Sequence, residues 1–81
     1  MYIVRCNDNT LYTGITTDTD RRVKEHNQSS RGASYTRARR PVKLVFCEAA
    51  ADRAEASRHE WKIKRLGRKD KETLINRLAN T

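Results

Sequence analysis

Two short β-favouring segments, Met1–Cys6 and Leu11–Thr16, lie on either side of the turn-forming cluster Asn7-Asp8-Asn9, and that layout specifies a β-hairpin. Each strand carries a tyrosine. Side chains alternate faces along a strand, so the pairing register decides whether Tyr2 and Tyr12 can act together. If opposed residues sum to 17, as a two-residue turn at Asp8-Asn9 gives, the tyrosines point to opposite faces. If they sum to 18, as a three-residue loop or one bulge gives, both share a face. A common site therefore requires an even sum.

Thr17, Asp18 and Asp20 supply an N-cap and negative charge for a first helix running to about Asn27. On it Arg22 and His26 are four apart and emerge on one side. Gln28 to Pro41, rich in Ser, Gly and Arg, reads as an exposed loop with room for a short helical turn. Val42 to Glu48 is a third strand. Ala50 to Leu66 has no breaker and reads as a helix whose core stripe is Ala56, His59, Ile63 and Leu66, with Ala54 and Trp61 on another side and Glu60 at the border of the stripe. Gly67 stops it, and a last helix from about Lys69 to Ala79 presents Leu74, Ile75 and Leu78. The order ββαβαα predicts an α+β fold, one domain over residues 1–81 in which a small sheet carries packed helices.

A chain of 81 residues can bury only a thin core, about 60% of its unfolded surface. Leu, Ile, Val and Phe number 14 and the net charge is +8, a balance typical of disorder. Here the apolar residues fall in strand and helix patterns that one Pro and three Gly interrupt, so folding is expected. The charge is chiefly arginine, 12 against 6 lysines, and the guanidinium fork suits phosphate, which points to a nucleic-acid partner over a merely solvated basic surface. Within the loop, Arg31, Arg37, Arg39 and Arg40 with Thr36 form an electrostatic clamp for a nucleic-acid backbone, and Tyr35 either stacks on a base or packs beneath the loop. The absence of a long apolar run and of a signal peptide predicts a soluble cytoplasmic protein with no membrane partner. Cys6 and Cys47 lack metal-ligand spacing and read as buried free thiols in strands.

Tyr2-Ile3-Val4 and Tyr12-Thr13-Gly14 stand ten residues apart, tyrosine to tyrosine. They are followed by Ile15-Thr16-Thr17, Asp20-Arg21-Arg22, Glu25-His26-Asn27, Gly32-Ala33-Ser34-Tyr35-Thr36-Arg37, Arg39-Arg40-Pro41, and then Arg58-His59-Glu60-Trp61 with Ile63-Lys64-Arg65-Leu66. This ordered set resembles the GIY-YIG nuclease superfamily, and within it the stand-alone, single-domain branch often called UPF0213 or YhbQ-like. The resemblance implies a three-stranded antiparallel sheet bearing a metal-dependent phosphodiesterase site. It implies an endonuclease acting on DNA in preference to RNA, in repair or in processing unusual DNA structures, with one Mg²⁺ or Mn²⁺ ion and no small-molecule cofactor. By the same analogy Tyr2 is the general base or orients the attacking water, Tyr12 bonds the phosphate or nucleophile, and Arg22 clamps the non-bridging oxygens. His26 relays a proton or holds a tyrosine hydroxyl, Gly14 leaves space for a phosphate, and Glu60 is the metal ligand. A free tyrosine ionises near pH ~10, so Tyr2 serves as base only if Arg22 or a cation lowers that value.

Each assignment has a structural alternative. The tyrosines can be half-buried packing residues, and Gly14 a bulge or strand end. Arg22 can pair with Asp18, Glu60 with Lys64, and His26 can serve the helix terminus. Some positions depart from the family pattern: Met1 directly precedes Tyr2 in place of Gly-Ile, leaving the tyrosine near a frayable end, and Asn9 stands where the hairpin turn often has glycine. Asn76 and Asn80 are candidates for a further polar contribution late in the domain. The alternative functions are a non-catalytic DNA- or RNA-binding module and an interaction domain for an acidic protein. The nuclease reading makes a tertiary claim, that Tyr2, Tyr12, Arg22 and Glu60 converge in one cleft.

Overall fold

The computed structural model describes the backbone of residues 1–79; the side chains of Leu78 and Ala79 and all of Asn80 and Thr81 lie outside the described residues. The hairpin forms from β1 (Tyr2–Arg5) and β2 (Leu11–Gly14). Its loop is centred on Asp8: the Cys6 amide donates to the Thr10 carbonyl at 2.8 Å and the Asn9 amide to the Cys6 carbonyl at 2.9 Å. Asn9 takes the left-handed conformation (φ 70°) that closes such a three-residue loop, and the Asp8 carboxylate accepts from the Thr10 amide and hydroxyl. Opposed residues therefore sum to 16, neither 17 nor 18, as in Tyr2 against Gly14 and Val4 against Tyr12. The parity is even, and the two tyrosines share a face.

The sheet is antiparallel with order β2-β1-β3, so the strand bearing Tyr2 is central. Its start is pinned on both sides, contrary to the frayed end expected. The Met1 amino group donates to the Glu48 carbonyl at 3.0 Å, the Glu48 amide returns a bond to Met1 at 2.9 Å, and the Met1 side chain is buried. β3 (Lys43–Cys47) pairs with β1 through an irregularity between Ile3 and Val4. That bulge inserts Val45, so that Val45 and Phe46 both join the same apolar cluster.

The two faces carry separate clusters. On one, Met1, Ile3 and Phe46 pack with Ile75, flanked by Ile63 and Leu74 from the last two helices. On the other, Tyr2, Val4, Cys6 and Val42 pack with Tyr12, Val23 and Leu44. Ile3 and Val4 are fully buried, each worth about 1.5–3 kcal/mol against exposure.

Helix α1 (Thr19–Gln28) begins where the Asp18 carboxylate accepts from the Arg21 amide at 3.0 Å. A four-residue helix, α2 (Ser34–Arg37), occupies the loop. Gly32 lets that loop press against α1, since a Cβ there would lie 2.6 Å from the Glu25 carbonyl oxygen. Asn27 ties α1 to the start of β3, donating to the Val42 carbonyl and accepting from its amide. Helix α3 (Arg53–Lys64) starts three residues later than the sequence predicted because Asp52 caps it, accepting from the Glu55 amide at 2.8 Å. No residue of α3 is fully buried, so the expected core stripe is a half-buried one. Helix α4 (Arg68–Ala79) is anchored to β1 by Glu72, which receives both terminal nitrogens of Arg5.

The cysteines divide. Both are free, but Cys6 is buried and Cys47 exposed. Cys47 ends an edge strand at the rim of the sheet, where the Thr19 hydroxyl lies 3.5 Å from its sulfur. No helix among the described residues is long and apolar enough to cross a membrane.

Candidate active site

Tyr2 reaches across β2 beneath Gly14 and places its hydroxyl 2.7 Å from Nε2 of His26. Both side chains are buried, at 1% and 0% exposure. Behind His26, Nδ1 lies 3.0 Å from the Thr36 hydroxyl oxygen, and that hydroxyl donates to the Ala33 carbonyl at 2.8 Å. Because the Thr36 proton is committed to Ala33, its oxygen accepts from Nδ1–H, which leaves the Nε2 lone pair for the Tyr2 proton. The Ala33 amide also points at Nδ1, at 3.3 Å, and would favour the opposite tautomer. The two shorter contacts favour Nδ1–H.

Burial pushes the Tyr2 phenol up to about 12; Arg22 beside it pulls the other way and loses, while Tyr12 and Glu60 add to the rise. The condition for Tyr2 to act as a phenolate base, a lowered value, is not met by the residues around it. His26 is held below the usual imidazole value, first by burial and then by the charges of Arg22 and Arg40, with Glu25 opposing. It is thus neutral at pH 7 and able to accept a proton.

Aromatic contacts extend the site outward. Tyr12, opposite Val4, sets its ring edgewise on His26 at 5.3 Å and stacks on Tyr35 at 5.9 Å, and the Arg39 guanidinium lies 3.9 Å over the Tyr35 ring. Tyr35 therefore packs on the site and covers Tyr12. Arg22 is half-buried and donates to Glu25 at 3.2 Å and to the Arg31 carbonyl at 2.8 Å, so its acidic partner is Glu25 and not Asp18.

Glu60 comes from α3, the helix packed against β2. It pairs with Lys64 at 3.6 Å, its side chain is 24% exposed, and its charge acts on the Tyr2 hydroxyl. Tyr2, Tyr12, Arg22 and His26 are thus brought together, with Glu60 at their margin. Among the described residues no group of three or more His, Cys, Asp or Glu could hold a metal ion. Glu60 alone is an oxygen donor of the kind Mg²⁺ accepts when water and substrate oxygens complete its shell, so the residues present fit a loosely held hard cation.

Three sequence assignments change. The space beside Gly14 is filled by the Tyr2 ring, since a Cβ there would stand 2.6 Å from the phenol oxygen; the glycine serves Tyr2 and leaves no room for a phosphate. Thr36 is fully buried and orients His26, so it cannot touch a nucleic acid. Arg40 turns inward, donating to the carbonyls of Glu25, His26 and Ser29 at the C-terminal end of α1, where cationic donors satisfy the last carbonyls. Arg39 is partly committed, to Asp8 at 3.0 Å and to the Tyr35 carbonyl at 2.8 Å. Arg31 and Arg37 remain exposed, as the clamp requires. Asn76 is exposed on α4, and its neighbour Ile75 packs in the cluster on the sheet face opposite Tyr2.

Comparison with known proteins identifies the family. Residues 1–74 match the model of the GIY-YIG catalytic domain. A UPF0213 protein of Desulfotalea psychrophila is 57% identical over 75 residues, covering 93% of this chain and 68% of the relative. The UPF0213 protein YazA of Bacillus subtilis is 45% identical over 80 residues, covering 99% and 80%. The solution NMR structure of a UPF0213 protein from Bacillus halodurans superposes with a TM-score of 0.59 at 48% identity, covering 93% of this chain and 79% of that one. On the match to the family model over residues 1–74 and on these relatives, the chain belongs to the GIY-YIG family, in its UPF0213 branch.

Proposed function

We propose that this protein is a divalent-metal-dependent endonuclease that hydrolyses phosphodiester bonds of DNA, in repair or in processing unusual DNA structures. The observation that carries the reading is the buried hydrogen-bonded chain from Tyr2 through His26 to Thr36, which can serve as a proton path. Its chemistry follows from the two pKa directions. Tyr2 is too weak an acid to stand as a phenolate, but it can take a proton from the attacking water while passing its own to Nε2 of neutral His26. Thr36 holds the imidazole in the tautomer that receives it. Arg22 exchanges Glu25 for the two non-bridging phosphate oxygens, a bidentate pairing that neutralises developing charge. That swing also opens the way to Tyr2, which is otherwise 1% exposed. Tyr12, half-buried beside them, positions the phosphate. Glu60 is the residue to hold Mg²⁺ or Mn²⁺, which when bound supplies Lewis-acid stabilisation of the leaving oxygen.

The near-complete burial of Tyr2 favours one other reading, a non-catalytic DNA- or RNA-binding module that keeps the fold. Incubation with single-stranded and duplex DNA in Mg²⁺ and in EDTA separates the two. Metal-dependent cleavage that drops about 10²-fold or more in His26→Ala, and is lost in Glu60→Ala, supports the nuclease. Cleavage that survives both substitutions sinks it, and binding without cleavage favours the module.

A further inference from the structure

We infer that the outer face of α3 is a binding surface for an unpaired nucleic-acid strand, on which Trp61 stacks a base next to the scissile phosphate. The inference rests on the nuclease reading and assigns its substrate class. Arg58, Trp61, Lys62 and Arg65 follow one another at i, i+3, i+4 and i+7, the spacing of one helix face, and all four are exposed. Trp61 keeps 59% of its surface open, the most exposed of the large hydrophobic side chains described. Burying that ring on its own sheet would have stabilised a chain with a thin core, so its outward position asks for a partner. The Arg65 guanidinium lies 4.6 Å over the ring, which supports one side of the indole and leaves the rest to solvent.

The charges select the partner. Among the described residues none of Arg58, Lys62 and Arg65 pairs with an acidic side chain, in contrast to Lys64, which is held by Glu60 one position from the tryptophan. Three unneutralised cations around an open indole match a polyanion with aromatic bases and oppose a basic or purely apolar partner. Bases inside a duplex are already stacked on each other, so the ring can receive only an unpaired one. Glu60 and Trp61 are adjacent, with Cα atoms about 3.8 Å apart. Their side chains leave the helix about 100° apart, so a strand whose phosphate lies by Glu60 reaches this stripe by turning around α3, and single strands, flaps and frayed ends, which can bend that way, become the preferred substrates.

Trp61 is the sole tryptophan, so its emission reports this contact directly. The full chain is titrated in EDTA with a fluorescently labelled oligothymidylate and with a blunt duplex, following tryptophan emission and label anisotropy together. Quenched emission with the single strand, weaker quenching with the duplex, and a loss of about tenfold in single-strand affinity for Trp61→Ala that Trp61→Phe largely restores are expected. Unchanged helicity by circular dichroism shows that the variants fold. Binding by anisotropy with unchanged emission and an unaffected Trp61→Ala overturns this inference and leaves the nuclease reading standing. No binding of either oligonucleotide overturns this inference, while the cleavage assay in Mg²⁺ decides the nuclease reading separately. An emission shift that depends on protein concentration without DNA marks the stripe as a contact between copies and overturns it too.

Discussion

Replacing Gly14 with alanine puts a methyl carbon 2.6 Å from the Tyr2 hydroxyl oxygen and 2.8 Å from the ring carbon that bears it. Ordinary contact begins near 3.4 Å, so the ring or the strand must move by roughly 0.8 Å. Neither moves cheaply, because Tyr2 is buried on the central strand and its hydroxyl is held by His26 at 2.7 Å. Overpacking a site of this kind costs about 1–3 kcal/mol, and losing the buried hydrogen bond adds about 1 kcal/mol. Gly14→Ala should therefore destabilise the fold by about 2–4 kcal/mol, read from urea unfolding followed by circular dichroism, with a fall in Tm on the order of 10–20 °C. Tyr2→Phe removes the atom nearest the new methyl, so the double variant should be more stable than the two single losses predict, by on the order of 1 kcal/mol. A Gly14→Ala protein within ~0.5 kcal/mol of the parent, or strictly additive singles, refutes the packing argument. Intact stability without DNA binding would instead return the glycine to the ligand.

Tyrosinate absorbance should show one of the three tyrosines titrating late, at about 12, and Tyr2→Phe should remove it. Because the unfolded phenol ionises near ~10 and the folded one does not, stability should fall as pH rises through that window. His26 works in the opposite direction: its folded value lies below the unfolded one, so its contribution is complete above about pH 7 and is lost as pH falls below about 6.5, a slope that His26→Gln should flatten. Thr36→Val keeps the shape but removes the acceptor for Nδ1–H; DNA cleavage should drop at least about tenfold while nitrogen NMR shows a tautomer shift, and an unchanged tautomer would contradict the assignment. Neutralising Arg31 and Arg37 together should lower the salt slope of DNA binding by about one for each phosphate that they neutralise, whereas Arg40→Ala should chiefly lower Tm; the reverse pattern would restore Arg40 to the clamp.

What the chain disclosed in advance depended on how local the cause was. Asp18 as a cap and the Asn-rich turn act within a few residues, and each could be read, whereas α3 ends at Lys64 with Arg65 as its C-cap, short of the stop expected at Gly67, whose φ is not positive. Asp52 was equally local, but the alanines before it masked the start of α3. The site needed more. Pairing Tyr2 with Tyr12 required only the parity of a register, whereas assigning Thr36 and Arg40 required knowing that an irregular loop folds back on α1 across 10 to 15 residues. No periodicity marks that return, and every arginine in the loop looks equally free on paper. The bulge at Val45 and the exposure of Cys47 are likewise set by where β3 sits in the sheet, a position that composition does not record.

The bulge in β3 has a bearing on how these molecules share a solution. A three-stranded sheet offers two open margins, each a row of amides and carbonyls to which another chain can add. Here the inserted Val45 breaks the even spacing along one margin, exposed Lys43 places a charge on it, and the other margin, β2, is four residues long. A protein built on so small a sheet thereby escapes fibril-like stacking, and concentrated samples should resist seeding by their own fragments.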